Sequence, residues 1–336
     1  MRRIVVPLPS KPADGAPLQD PAQPSLFPEI FPDGQPARVA FDGRVVAPNP
    51  PMDIWAVDTT FRAASLPPDA AAALYALLHR LGGPKGVVRQ CEFPVGTDAE
   101  REVLGRCLTG KREFPEPTAW IRDGGKEELR VLAGLGVKEA GFGAPCSDRA
   151  IYLERHLTRK EAAHRHLEIV DHLLAAGVVP RVHLEDATRA DLFGFLVPFS
   201  RTLMERAREA EVPVKLRLCD SLGLGVPYEG AAPPRAVQRL VQALSEEAEV
   251  PSEWLEWESG NACPRAIPNA AGAWMSGVSA CAGALQGLGG AADLQALLAE
   301  VAGLKGELNG LKLEAATEAA ALLRTAVPPA PAVAAR

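Results

Sequence analysis

The chain carries at residues 54–63 the stretch Ile54-Trp55-Ala56-Val57-Asp58-Thr59-Thr60-Phe61-Arg62-Ala63, an apolar run that ends in polar residues. A short apolar run of this kind is typical of a β-strand. An open, doubly wound sheet would be expected to carry a glycine-rich phosphate-binding loop directly after its first strand. Residues 60–67 contain no glycine. The stretch therefore favours the first strand of a closed barrel over that of an open sheet.

Strand-like runs alternate with amphipathic helix patterns from this point to residue 304. The predicted strands are 54–58, 87–93, 118–122, 139–144, 179–185, 214–220, 254–257 and 278–284. The predicted helices are 68–81, 98–108, 127–135, 159–176, 192–211, 235–249, 266–276 and 293–304. Eight strand–helix pairs predict an α/β fold, a (β/α)8 TIM barrel, which typically takes about 250 residues.

The two ends of the chain differ in composition from the barrel, which is assigned to residues 53–306. Residues 1–52 are rich in proline and predict an N-terminal arm, with a short hairpin at 37–46 around Asp42-Gly43. Residues 307–336 are rich in alanine and proline, and they predict a short C-terminal helical tail that frays into disorder.

Composition excludes several classes of protein. The 336 residues carry a net charge of −6 with no long basic run, so nucleic acid is not an expected partner. No stretch approaches the ~18 consecutive apolar residues of a membrane span, and no signal-peptide core follows the first residues. A cytoplasmic protein is therefore expected. The six cysteines include no Cys-x-x-Cys pair, which argues against a disulfide framework or a structural zinc site.

Ionisable and polar residues cluster where the predicted strands end, and in a TIM barrel the chemistry lies at those carboxyl ends. The set comprises Asp58, Arg62, Arg89, Gln90, Glu92, Ser147, Asp148, His183, Glu185, Asp186, Arg189, Arg217, Asp220, Ser221, Glu258 and Asn261. So many ionisable groups on one rim exceed what solubility requires, which indicates a binding or catalytic site.

Several motifs resemble those of one enzyme family. Asp58-Thr59-Thr60-Phe61-Arg62 is similar to an Asp-Thr-Thr-Leu/Phe-Arg-Asp-Gly motif at the end of the first strand. The stretches 183–191 and 218–223 resemble the fifth-strand and sixth-strand signatures, and Asn261 and Asn269 match asparagines of a His-x-His-Asn-Asp…Asn stretch. Together they resemble the isopropylmalate/homocitrate synthase family, the DRE-TIM metallolyases, over residues 53–306.

The resemblance also implies where a divalent cation would bind. In the family it is held by the Asp after the motif arginine and by both histidines of His-x-His. Those positions are Ala63, Glu258 and Gly260 here. Because alanine and glycine have no donor atoms in their side chains, we expect the family's metal site to be lost and no cofactor to be needed. Weak binding of Mg²⁺ or Mn²⁺ through Glu258 is the alternative.

The resemblance implies catalytic roles for Arg62, Glu185 and Glu258. Arg62 would neutralise negative charge that develops on the substrate, or would form an ion pair with Asp58 or Glu92. Glu258 would be an isolated metal ligand, a general base or the partner of Arg62. We favour the last, which predicts a salt-bridge distance between the two side chains.

Substrate contacts are expected from a second set of residues: Arg89, His183, Arg217, Ser221 and Asn261. Glu185 would help place the substrate, or would belong to a structural ion-pair network with Arg217 and Arg89. His183 would bond a ligand carboxylate, or would be a satisfied core residue.

Two functions follow from these patterns. One is a divergent barrel that has lost its metal, is non-catalytic or strongly altered, and binds a small carboxylate or a partner paralogue. The alternative is an acyltransferase or related aldol lyase that forms a C–C bond between an acyl-CoA and a 2-oxo acid. A homodimer, or a heterodimer with an active paralogue, is the expected assembly.

Overall fold

The computed structural model describes residues 5–7, 39–41, 44–46, 53–110, 112–122, 126–228, 230–308 and 310–326. Three short strands precede the barrel: β1 (Val5–Pro7), β2 (Val39–Phe41) and β3 (Arg44–Val46). Strand β3 pairs antiparallel with both β1 and β2. The pairing of β2 with β3 agrees with the predicted hairpin at 37–46, whose turn residues lie outside the described ranges. The pairing of β1 was not expected.

Eight parallel strands close into a barrel, which confirms the predicted (β/α)8 fold. They are β4 (Trp55–Asp58), β5 (Val88–Pro94), β6 (Glu116–Ile121), β7 (Glu139–Pro145), β8 (Val179–Glu185), β9 (Lys215–Asp220), β10 (Leu255–Ser259) and β11 (Ala280–Gly283). Each strand pairs with the next along the chain, and β11 closes the barrel on β4.

Helices surround the strands. They are α1 (Thr60–Ala63), α2 (Pro68–Gly82), α3 (Asp98–Thr109), α4 (Lys126–Leu135), α5 (Arg159–Ala175), α6 (Val197–Ala210), α7 (Val237–Glu246), α8 (Ala266–Ser276), α9 (Leu294–Lys305) and α10 (Glu314–Ala326). The predicted helix at 192–211 is divided, because a π-helical turn over Leu192–Leu196 precedes α6. No helix in the described part of the chain is long and apolar enough to cross a membrane.

Local sequence sets where several helices begin. Thr97 and Thr158 each accept a hydrogen bond from the backbone N–H three residues later, and Glu100 and Glu161 return bonds to the two threonine N–H groups. These capping boxes satisfy backbone donors that a helix start leaves free. They orient α3 and α5 so that their apolar faces, including Leu104 and Val170, pack on the barrel.

The last described helix, α10, packs on α2. Arg80 of α2 donates two hydrogen bonds to Glu318 of α10, at 2.8 and 2.9 Å. The backbone N–H of Lys312 donates to the carbonyl oxygen of Leu81 at 3.1 Å. The helix predicted within 307–336 therefore covers the outer side of the first long barrel helix. Residues 327–336, where the disordered tail was expected, lie outside the described ranges.

Candidate functional site

A cavity of about 220 Å³ opens at the carboxyl ends of the barrel strands. Its lining comprises Arg62, His183, Glu185, Cys219, Ser221, Glu258, Ser259, Gly260, Gly289, Gly290 and Ala291. Five of the eight predicted site residues are among them. The barrel therefore brings together side chains that are up to about 200 positions apart in sequence, since Arg62 meets Glu258 here.

Arg62 extends from α1 over the barrel interior. Its guanidinium donates to Glu92 at 2.7 Å and to the two carboxylate oxygens of Glu258 at 3.3 and 3.4 Å. The same group lies 4.0 Å from the ring centre of Trp120. The predicted ion pair between Arg62 and Glu258 is therefore present, and so is the alternative pair with Glu92. Although burial disfavours the charge, the carboxylates of Glu258 and Glu92 raise the pKa of Arg62.

Asp58, the other expected partner of Arg62, is engaged elsewhere. It is fully buried and accepts a hydrogen bond from the Thr60 hydroxyl. That hydroxyl in turn accepts a bond from the backbone N–H of Leu285 at 2.9 Å. Asp58 therefore fixes the junction between the first and last barrel strands. Burial raises its pKa to about 7.

Arg217 lies beneath the cavity and is completely buried. Its guanidinium is 2.7 Å from Glu92, 2.7 Å from Glu256 and 3.0 Å from Glu258. Arg181, one strand away, contacts Glu256 at 3.1 Å. Because Arg217 does not line the cavity, its position supports a role in holding these three glutamates rather than in direct substrate contact.

Glu258 is therefore flanked by two guanidinium groups. Burial alone would raise its pKa, but Arg62 and Arg217 hold the pKa of Glu258 below its ordinary value. An ionised carboxylate between two cations is a poor general base, since it holds a proton weakly. The geometry thus favours the interpretation of Glu258 as a charge partner over its interpretation as a base.

His183 is 1% exposed, and neither ring nitrogen has a hydrogen-bond partner among the described residues. Its Nδ1 lies 3.6 Å from Glu258, and its Nε2 lies 3.6 Å from Glu92. Burial first, and then the guanidinium groups of Arg217 and Arg62, lower the pKa of His183 well below its ordinary value. The imidazole is therefore neutral at neutral pH. Of the two alternatives for His183, this geometry favours a residue that binds a ligand over a satisfied core histidine.

Glu185 is the last residue of β8. Its side chain lies against β7, which has glycine at positions 141 and 143. A Cβ added at Gly143 would lie 2.4 Å from the Glu185 carboxylate, and one at Gly141 would lie 3.0 Å from Nε2 of His183. The two glycines therefore make the space that these side chains occupy. Within the described ranges Glu185 forms no salt bridge, so the expected ion-pair network with Arg217 and Arg89 does not include it. Burial, and then the charge of Glu258, raise the pKa of Glu185.

The remaining predicted residues lie at different depths. Ser221 is on the rim, where its hydroxyl accepts a hydrogen bond from the Asp186 N–H at 2.9 Å. Asn261 is exposed, and its N–H donates to Gly290 at 2.7 Å. Arg89 is not at this site, because it lies near the start of β5, at the opposite end of the strand from the cavity.

The contacts of Arg89 explain its position. Its guanidinium donates to Asp53 at 2.6 Å and stacks on Trp55, 4.3 Å from the ring centre. Lys305 also contacts Asp53, at 3.1 Å. Asp53, just before β4, thus joins Arg89 of β5 to Lys305 at the end of α9. The expectation that it contacts substrate in the cavity has no support in this geometry.

Three donor groups in the cavity could hold a metal ion. Ala63 and Gly260, two of the positions that the resemblance assigns to metal, supply no side-chain donor. The ligand atoms of His183, Cys219 and Glu258 nevertheless lie within 4.8 Å of one another. The expectation that Glu258 would be the one protein ligand is therefore too narrow. Sequence reasoning missed Cys219 because nothing in the spacing of the chain pairs it with His183.

The structure also reveals residues that the sequence patterns did not single out. Trp120 forms the surface on which Arg62 stacks. Glu256 and Arg181 complete the buried charge network below the cavity. A signal for Glu256 was present in the sequence, since it stands two residues before Glu258 and therefore faces the same side of the strand.

The chain is similar to enzymes of known product. It is 39% identical over 311 residues to citrate (Re)-synthase of Syntrophus aciditrophicus, a match that covers 90% of this chain and 49% of the relative. It is 38% identical over 305 residues to citrate (Re)-synthase of Clostridium kluyveri, covering 88% of this chain and 67% of that protein. It thus spans about half the length of the first relative and two thirds of the second.

A third relative makes a different product. Identity to 2-phosphinomethylmalate synthase of Streptomyces hygroscopicus is 30% over 304 residues, covering 85% of this chain and 68% of that protein. No protein-family model matches the chain.

Solved structures agree on the fold. The hydroxymethylglutaryl-CoA lyase of Pseudomonas aeruginosa superposes with a TM-score of 0.64 at 17% identity, covering 83% of this chain and 93% of that one. The corresponding lyase of Brucella melitensis gives 0.62 at 15% identity, with coverage of 81% and 98%. At this identity the superposition shows a shared barrel. The sequence matches show more than the fold: the chain belongs to the family of citrate (Re)-synthase and 2-phosphinomethylmalate synthase.

Proposed function

We propose that the chain catalyses a Claisen-type condensation, in which the methyl carbon of an acyl-CoA adds to the keto carbon of a 2-oxo acid. The products named for its relatives support this class. Citrate and 2-phosphinomethylmalate both carry a hydroxyl and a carboxylate on one tertiary carbon. Addition of a thioester-derived carbon nucleophile to a 2-oxo acid forms that arrangement. In both molecules a second anionic group is attached through a methylene, which favours a dianionic 2-oxo acid as the acceptor.

The observation that carries the proposal is the juxtaposition of Arg62 and Glu185 in one cavity. A guanidinium can bind a carboxylate of the acceptor and can stabilise the negative charge that develops on the keto oxygen. Glu185 forms no salt bridge with the described residues, so its carboxylate is available for proton transfer, whereas Glu258 is held by two arginines. Proton transfer by a positioned carboxylate typically contributes about 10²–10⁴-fold in rate.

The reaction balances as follows. Glu185 takes a proton from the methyl group, the new C–C bond forms, and the keto oxygen becomes an alkoxide beside Arg62. The alkoxide accepts a proton, and water then hydrolyses the thioester to release CoA and a carboxylic acid. A divalent ion held by His183, Cys219 and Glu258 would supply a Lewis acid for the keto oxygen. The hydroxyl of Ser221, on the rim, would donate a hydrogen bond to a carboxylate of the acceptor.

The test is release of free CoA from acetyl-CoA in the presence of a panel of 2-oxo acids, with product identification by NMR of ¹³C-labelled acetyl groups. The panel includes oxaloacetate, 2-oxoglutarate, 2-oxoisovalerate and pyruvate, with and without divalent metal ions. We expect turnover with a dianionic acceptor and a labelled tertiary alcohol as product. Release of CoA that does not depend on the oxo acid would refute the condensation.

The second candidate is a non-catalytic barrel that binds a small carboxylate or a partner paralogue. The observation that favours it is that Glu92 and Glu258 both contact Arg62, so the guanidinium is neutralised without any substrate or metal. The same panel separates the two functions. A thermal shift with an oxo acid in the absence of CoA release would support binding without catalysis.

A further inference from the structure

We propose that His183, Cys219 and Glu258 form a binding site for a divalent transition-metal ion of the zinc or cobalt class. The site shares one residue, Glu258, with the positions that the family resemblance assigns to metal. Within the described residues it is the one group of three or more His, Cys, Asp or Glu side chains placed to hold an ion. It would exist whether or not the proposed condensation occurs.

The three ligands come from adjacent strands. Glu258 of β10 is the direct cross-strand neighbour of Cys219 of β9. His183 of β8 pairs with Arg217, two residues before Cys219, so both side chains face the barrel interior. Ligands that project from paired strands are held by the backbone of the barrel rather than by a loop. Such rigid placement favours a preformed site.

His183 supplies a second, independent sign of a ligand. It is 1% exposed, and in the part of the chain that the structure describes both ring nitrogens lack a hydrogen-bond partner. A buried polar group without a partner costs about 1–3 kcal/mol, and native proteins rarely leave one. A metal ion on one nitrogen would satisfy it. The carboxylate oxygens nearest to the two ring nitrogens, Oε2 of Glu258 and Oε1 of Glu92, are both 3.6 Å away, which is too far for hydrogen bonds.

The donor set indicates the class of metal. One imidazole, one thiolate and one carboxylate, with a fourth position left to solvent or substrate, are typical of catalytic zinc. Magnesium and calcium prefer oxygen ligands alone, so Cys219 disfavours them. Among the described residues the thiol of Cys219 makes one weak hydrogen bond, 3.6 Å to the carbonyl oxygen of Arg217. It is therefore free to turn towards an ion after losing its proton.

The neighbouring charges permit a cation. Arg62 and Arg217 repel it, but Glu92 lies 2.7 Å from each of them and offsets their charge. Of the two Glu258 oxygens, Oε1 is contacted by Arg62 at 3.4 Å, a long hydrogen bond. That oxygen is the one available to an ion. With a divalent ion bound, the site would carry more positive charge, and this would favour the binding of a dianionic oxo acid.

The experiment is a Co²⁺ titration of chelator-treated protein, followed by absorption spectroscopy. A thiolate ligand to Co²⁺ gives a charge-transfer band in the near ultraviolet, and a tetrahedral site gives intense visible bands. We expect both bands in the wild type. Cys219→Ser should abolish the charge-transfer band, whereas Cys263→Ser, a control on the loop after β10, should retain it. His183→Gln and Glu258→Gln should each weaken Co²⁺ binding by about tenfold or more.

Circular dichroism at each step shows whether the variants remain folded. Three results would overturn the proposal: no charge-transfer band in folded wild type, a band that persists in Cys219→Ser, or tighter binding of Mg²⁺ than of Zn²⁺ in a competition titration. None of these measurements requires acyl-CoA or an oxo acid. A failed condensation assay therefore does not contradict the metal site. Failure to bind Co²⁺ likewise does not contradict the condensation, which the release of CoA tests separately.

Discussion

Arg62 and Glu258 face each other across the mouth of the barrel, with the guanidinium 3.3 and 3.4 Å from the two carboxylate oxygens. The closer partner of Arg62 is Glu92, at 2.7 Å. The longer contacts to Glu258 are the weaker ones, so a substrate carboxylate can replace them while Glu92 keeps the arginine in position.

This relationship predicts the effect of Arg62→Lys. A lysine ammonium cannot contact two carboxylates and a substrate with planar, forked geometry. We expect kcat/KM for the condensation to fall by about 10²-fold, with a change in melting temperature of no more than a few degrees. Arg80→Lys is the matched control, because Arg80 makes a similar forked contact with Glu318 on the outer surface. Equal loss of activity in the two variants would contradict a special role for Arg62.

Gly143→Ala tests the position of Glu185. The added Cβ would lie 2.4 Å from the Glu185 carboxylate, which is the far end of a flexible side chain and can move. We therefore expect a small loss of stability, about 1–2 kcal/mol, together with at least a tenfold fall in kcat. Gly105→Ala in α3 is the control, since its Cβ would meet no atom within 4 Å. Unchanged kcat in folded Gly143→Ala would remove Glu185 from the mechanism.

Glu256→Gln tests the charge network below the cavity. Burial opposes the ionised form, but Arg181 and Arg217 lower the pKa of Glu256 to about 2. Removing its charge leaves two buried guanidinium groups short of a partner, so the free energy of unfolding should fall by about 3–5 kcal/mol. Glu318→Gln, which removes the exposed partner of Arg80, should change the free energy of unfolding far less, because solvent screens that pair. Urea unfolding at pH 7 measures both values.

His166 predicts a pH dependence of stability. Burial, and then Arg155 and Arg165, lower its pKa to about 4. The unfolded chain, with a pKa near 6.5, therefore binds the proton more readily than the folded protein. The contribution of the neutral His166 imidazole to the free energy of unfolding is fully present above pH 6.5. It is lost as the pH falls towards 4, and the free energy of unfolding decreases by up to about 3 kcal/mol.

The matching experiment measures urea unfolding from pH 7 to pH 4.5 in the wild type and in His166→Phe. The variant should lose less stability over this range, because its side chain between Phe142 and Phe199 cannot be protonated. His164→Gln, an exposed change on the same helix, should follow the wild type. All three proteins keep His183, so the difference between them reports on His166 alone. Parallel curves for wild type and His166→Phe would contradict the assignment.

Much of the barrel was predictable from sequence because its strands are short apolar runs between helices with clear caps. The predicted bounds 179–185 and 266–276 coincide with β8 and α8. It was harder to predict at which end of the barrel a residue in a strand would lie. Arg89 lies at the amino end of β5, where it meets Asp53, and a parallel strand that is buried on both faces gives little periodicity to show which residues point inward.

The site was predictable in part for a related reason. The motif that ends in Arg62 could be recognised, and its ion pair with Glu258 was expected from the missing metal ligands. Cys219 was not recognised, because its closeness to His183 depends on the register of β8 with β9, which no local pattern specifies. The roles of the site residues, the domain boundaries and the expected dimer stay predictions.

The glycines of β7 have a consequence for how this site could be altered. At Gly141 and Gly143 the missing Cβ atoms leave room for the His183 imidazole and the Glu185 carboxylate. A methyl group added at either position would press first on the far end of one of those side chains, and not on the backbone of a loop. The orientation of two site residues is therefore set by what the neighbouring strand lacks, and a single methyl group on that strand is enough to redirect one of them.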